Sequence, residues 1–118
     1  MNHMKKILIA FVALVLLFPS AYAQKKGAKN YVVGFYNLEN LFDTYDDPAK
    51  NDEEFLPEGK NKWTDVKYQK KLTNMAKVIK SMKEANGAWH ALLGVSEIEN
   101  RLVLEDLVME PQIAEANY

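Results

Sequence analysis

The chain has 118 residues, 48% of them hydrophobic and 26% charged, with a formal net charge of −1. Such a composition is that of an ordinary globular protein with room for one small domain, and the balanced charge argues against a strongly basic nucleic-acid footprint. Cysteine is absent, which excludes disulfides, thiolate metal sites and a lipid-modified cysteine.

In chain order, Lys5 and Lys6 precede the apolar run Ile7–Phe18, and Ala21-Tyr22-Ala23 follows. A basic start, a short apolar middle and a small-x-small end are the parts of a secretory signal peptide. The apolar run is about 12 residues, against roughly 20 needed to span a bilayer. Residues 1–23 are therefore expected to be a signal peptide, with an uncleaved membrane anchor as the alternative, and the protein is expected to be secreted or periplasmic. Residues 24–30 form a polar lead-in, and residues 31–118 the domain proper.

Tyr31–Leu38 is rich in β-branched and aromatic residues and predicts a strand. It is apolar at both alternating positions, as a central strand covered on both sides would be. Asp43–Lys62 is acidic and holds Pro48, Pro57 and Gly59, so it predicts a solvated loop. From about Thr64 to Ala85 the apolar positions Val66, Leu72, Met75, Ala76, Ile79 and Met82 recur at helical spacing. Thr64 or Asp65 can cap that helix, and Asn86-Gly87 ends it. Trp89–Val95 predicts a second buried strand, and Asn100–Met109 a short helix that stops before Pro111.

Strand, helix, strand in one sheet normally means parallel strands joined by a right-handed crossover. Parallel strands place their C-terminal ends at one edge of the sheet, where ligand sites of α/β folds commonly lie. Asn37 ends the first apolar run, Glu39 follows two positions on, and Glu97 ends the second run. The topology thus gathers Asn37, Glu39 and Glu97 at one edge. Ordinary solvated strand ends are the alternative reading of the same residues.

The segments "FYNLENLFD" and "LLGVSEIENR" resemble the first two motifs of the endonuclease/exonuclease/phosphatase superfamily, and "DDP…DEEFLPEG…W" looks like its secreted bacterial members. The resemblance covers about Tyr31–Leu107. It implies an α/β fold, the N-terminal part of a four-layered α/β/β/α sandwich, here incomplete. It also implies Mg²⁺ (or Mn²⁺) as cofactor, with Glu97 as the main metal-binding glutamate. Asn37 would position metal and phosphate, and Glu39 matches a place where some members carry a second acid. Mg²⁺ suits this set, because it is a hard ion usually held by one or two carboxylates with waters and phosphate oxygens. The implied substrates are phosphate esters: nucleic acid, phosphoinositide or sphingolipid.

The family further needs a histidine, an aspartate–asparagine pair and an aspartate–histidine pair on later elements. Of the two histidines here, His3 falls in the leader, and His90 begins the strand that ends in Glu97. At about 3.3 Å per residue it lies roughly 23 Å from that end and reads as structural or partly exposed. The chain therefore reads as an N-terminal portion, inactive alone, whose uncovered sheet favours self-association. A small secreted binding or interaction module without catalysis is the alternative.

Other features carry less. An EF-hand reading of Asp43–Glu54 fails, because Tyr45 stands at an oxygen-ligand position and Pro48 where glycine is needed. Lys67, Lys70, Lys71, Lys77, Lys80 and Lys83 read as the solvent face of an amphipathic helix. Trp63, Trp89 and Met75 read as packing residues.

Overall fold

A computed structural model describes residues 29–118; the expected leader lies outside the described residues. The chain runs through strand β1 (Val32–Leu41), a 3₁₀ turn (Glu53–Phe55), helix α1 (Asp65–Asn86), strand β2 (His90–Ile98), helix α2 (Arg101–Val108) and a last 3₁₀ turn (Ala114–Ala116). β1 and β2 pair in parallel as a two-stranded sheet. The fold is α/β, in the strand–helix–strand–helix order that the sequence predicts. No helix among the described residues is long and apolar enough to cross a membrane.

The core is built on one side of the sheet. Tyr68, Leu72, Met75, Ala76 and Ile79 are buried along α1, at the spacing that keeps side chains on one helical face. Val103 and Leu107 of α2, Leu38 and Leu41 of β1, and Ile113 complete the cluster, with Tyr36, Leu93 and Val95 packed against it. Burying a side chain of this size contributes about 1.5–3 kcal/mol. α1 ends at Gly87, whose φ of 73° closes the last turn in the left-handed region, as helices commonly end. α2 begins at Asn100, whose side chain accepts from the Val103 amide at 3.1 Å.

Three expectations need correction. β1 is covered on one side only: Tyr31, Val33 and Phe35 are each about two-thirds exposed, as is Leu92 of β2. No element of the described residues lies over that face, so apolar character at both alternating positions does not here mean burial at both. Val66, expected among the apolar positions of the helix, is 79% exposed, because the inward face of α1 begins only at Tyr68. Thr64 does stand at the helix N-cap, but its side chain makes no capping bond; its neighbour Asp65 instead accepts from the Thr44 hydroxyl.

Candidate metal and phosphate site

The register of the sheet breaks at its C-terminal end. After a first shift between Val32 and Val33, pairing runs regularly from Val33↔Leu92 to Asn37↔Ser96, and it resumes at Leu41↔Ile98. Leu38, Glu39 and Asn40 on β1 therefore face Glu97 alone on β2. Extra residues in a strand are accommodated by a bulge, which bends the chain and re-aims side chains. Glu39, Asn40 and Glu97 adopt φ of 50°, 59° and 56°. A residue with a side chain in that region carries strain on the order of 1–3 kcal/mol. Leu38 and Leu41, both fully buried, anchor the bulge on either side.

This backbone brings Asn37 and Glu97 together. The Asn37 amide nitrogen donates to Glu97 Oε1 at 2.7 Å, and its Oδ1 accepts from the Glu39 backbone N–H at 2.7 Å. The amide is thus held at both ends. By strand alternation Glu97 belongs with Leu93 and Val95, on the covered side; the left-handed turn at Glu97 breaks the alternation and lets its carboxylate meet Asn37. Both Asn37 and Glu97 are exposed.

Helix α1 supports the bulge from the side. The Lys71 ammonium donates to the backbone carbonyls of Glu39 and Asn40, the latter at 3.0 Å, and lies 5.6 Å from the centre of the Trp63 ring. Partial burial pulls the Lys71 pKa below the ordinary lysine value, and the charges of Glu39 and Glu97 oppose that shift. Both carboxylates therefore act on this one ammonium. The Trp63 indole N–H donates to the Phe42 carbonyl at 3.0 Å, and Phe55 stacks on Phe42 with ring centres 4.1 Å apart. Beside Glu39 opens a groove of about 460 Å³, lined in part by Trp63, Lys67, Lys70, Lys71 and Asn74.

The acidic loop is less solvated than its composition predicts. Asp43 and Asp52 are buried at 5% and 1% exposure. Asp43 accepts from the Tyr45 N–H at 2.8 Å and from the Asn100 amide at 2.9 Å, while its own N–H donates to Glu99 Oε2 at 3.0 Å. Lys50 lies 3.7 Å from Glu99 Oε1 and 3.3 Å from Asp47. Burial raises the Glu99 pKa above the usual carboxylate value; the Asp43 N–H bond and Lys50 oppose the rise, and the charges of Asp43 and Asp52 add to it. These acids tie the loop to the start of α2, just behind Glu97.

His90 is buried at the opposite end of β2, its Nδ1 3.0 Å from the Tyr118 hydroxyl. It takes no part in the Asn37–Glu97 site, in line with its reading as structural.

A family model described as endonuclease/exonuclease/phosphatase matches residues 32–118. The chain belongs to the endonuclease/exonuclease/phosphatase family. Among curated proteins and solved structures, none matches it. The match makes residues 32–118 a domain of the endonuclease/exonuclease/phosphatase hydrolase type, in a family that is generally metal-dependent.

The residues at this edge fit such a metal. Among the described residues no group of three His, Cys, Asp or Glu side chains is arranged to hold one, as a self-contained structural site would require. Glu97 instead offers an exposed carboxylate braced by a neutral amide. That is the sparse oxygen set of an ion held jointly by protein, water and substrate. The groove beside Glu39 opens next to this pair.

Lys71 was legible in principle. It lies three residues after Tyr68 and four before Met75, so it shares their face rather than the solvent face of the other lysines. The bulge had no such signal beyond Asn40, whose residue type tolerates positive φ.

Proposed function

We propose that the chain carries the metal- and phosphate-holding part of a secreted phosphodiester hydrolase. The observation that carries this reading is the 2.7 Å bond between Asn37 and Glu97, side chains sixty positions apart in sequence. Mg²⁺ or Mn²⁺ would be held by Glu97, with Glu39 at the edge of the site. When bound, the ion would neutralise charge that develops on the phosphoryl and leaving oxygens.

The chain's own residues then do the following. Asn37 fixes the Glu97 carboxylate through one amide hydrogen. Its second amide hydrogen has no partner among the described residues and is free for a phosphate oxygen. A neutral amide binds that oxygen without adding negative charge beside the ester. The left-handed Glu97 aims its carboxylate off the sheet, toward solvent and substrate. No imidazole of the described residues reaches this point, since His90 is at the far end, so activation of the attacking water falls to groups beyond this set. We therefore expect residues 24–118 to turn over no phosphodiester by themselves. The leader at residues 1–23 supports export, with the substrate met outside the cytoplasm.

Titration of Mg²⁺ into the ¹⁵N-labelled chain tests the reading. The Asn37 side-chain amide and the Glu97 backbone amide should shift in the wild type and stay still in Glu97→Ala. A wild type with no metal response would favour the second reading, a secreted interaction module that uses the uncovered face of Val33, Phe35 and Leu92.

A further inference from the structure

A sheet bulge leaves backbone groups outside the ladder, and such groups seek partners. Here two carbonyls of the bulge, those of Glu39 and Asn40, are met by one side chain, Lys71. Both carbonyls belong to left-handed residues. The same ammonium feels the Glu39 and Glu97 carboxylates and sits near the face of Trp63, whose indole N–H donates to the carbonyl of Phe42, two residues past Asn40. Lysines elsewhere on α1 differ. Lys67 donates to Asn61 in the loop, and Lys80 is exposed.

We propose that Lys71 is a positioning residue for the Asn37–Glu97 pair: it holds the Glu39–Asn40 bulge in its left-handed form, and so sets where Asn37 and Glu97 meet. This rests on the reading of that pair as the metal and phosphate site. The chain of contacts is short. Lys71 fixes the Glu39 carbonyl, the Glu39 N–H fixes Asn37 Oδ1, and the Asn37 amide fixes Glu97. A rigid helix thereby sets the geometry of a strand end that has no regular ladder of its own. Support of this kind behind a metal ligand typically affects metal affinity about 10–100-fold.

The test uses the ¹⁵N-labelled full chain and four variants: Lys71→Met, Lys71→Gln, Lys71→Arg and, as control, Lys80→Met. In Lys71→Met the backbone amides of Glu39, Asn40 and Glu97 and the Asn37 side-chain amide should move or broaden. Lys71→Gln removes less packing and should show the same displacement, so the outcome does not hang on Met being tolerated. Lys71→Arg should restore these signals to near their wild-type positions, and Lys80→Met should leave them untouched. Unmoved signals in Lys71→Met or Lys71→Gln would overturn the proposal. Mn²⁺ is then added, and broadening of the Asn37 side-chain amide is followed. Apparent Mn²⁺ affinity should fall about tenfold in Lys71→Met. Unchanged or tighter binding there would show Lys71 to be only a competing charge and would overturn positioning. A wild type that does not respond to Mn²⁺ would sink the hydrolase reading instead, while the metal-free amide signals still decide whether Lys71 sets the pair.

Discussion

The two ends of the parallel pair hold polar side chains in opposite ways. At the N-terminal end of β2, His90 is buried, meets Tyr118 at 3.0 Å, and packs its ring over Gly34. The register shifts at both ends, but at the C-terminal end Asn37 and Glu97 are exposed and three residues sit at positive φ. One end spends no backbone strain and closes a polar group inside. The other accepts strain and leaves its polar groups open to solvent. Strain that is not repaid by burial of the strained residues themselves is characteristic of functional sites, and here the fully buried Leu38 and Leu41 supply the anchoring. The contrast teaches that polar residues at strand ends are told apart by backbone and burial, not by residue type.

The strongest test of the contrast is Glu97→Gly. Glycine adopts the left-handed region freely, so the melting temperature should hold or rise, while Mn²⁺ affinity falls further than the roughly 10–100-fold typical of losing an outer partner. Isothermal titration and a thermal melt check both halves; a large loss of stability would make the site end structural like the other.

Gly34→Ala probes the quiet end. A Cβ there would stand 2.7 Å from the His90 ring, and overpacking of this kind typically destabilises by about 1–3 kcal/mol. Urea unfolding should show that loss, with Mn²⁺ binding unchanged.

Asn37→Ala returns to the open end with a smaller effect. It removes the donor to Glu97 and the acceptor for Glu39, and Mn²⁺ affinity should drop about tenfold. Circular dichroism should show the fold retained, because Asn37 is exposed; unfolding would instead mark the residue as structural.

Glu99→Gln, just behind Glu97, gives the smallest change. Burial raises the folded-state pKa of Glu99 above its unfolded value. A raised carboxylate favours folding most when protonated, so that contribution is full below the unfolded pKa and is lost as pH rises through the folded one. Wild type should therefore gain stability relative to Glu99→Gln as pH falls from neutrality through the window just above the ordinary glutamate pKa. Parallel melting curves across that range would contradict the burial of this carboxylate.

Much of this was legible in the sequence. Residue types at strand and helical spacing set the order β1, α1, β2, α2, because local propensity and amphipathic period are properties of neighbouring residues. The same order, by the rule for parallel crossovers, put Asn37, Glu39 and Glu97 at one edge, and the two motifs at those positions carried the family. What the sequence could not decide depended on distant partners. Burial of Asp43 and Asp52 follows from a loop that folds back onto Glu99 and Asn100, a contact invisible to composition. Exposure of Val33 and Phe35 follows from which layers cover the sheet, and apolar residue type is silent on that. The pairing of Asn37 with Glu97 needed the left-handed turns at Glu39, Asn40 and Glu97. Intrinsic preference opposes those turns at the two glutamates, and the tertiary anchors Leu38, Leu41 and Lys71 enforce them. Topology brought the right side chains to one edge; only packing around the bulge brought them to within a hydrogen bond of each other.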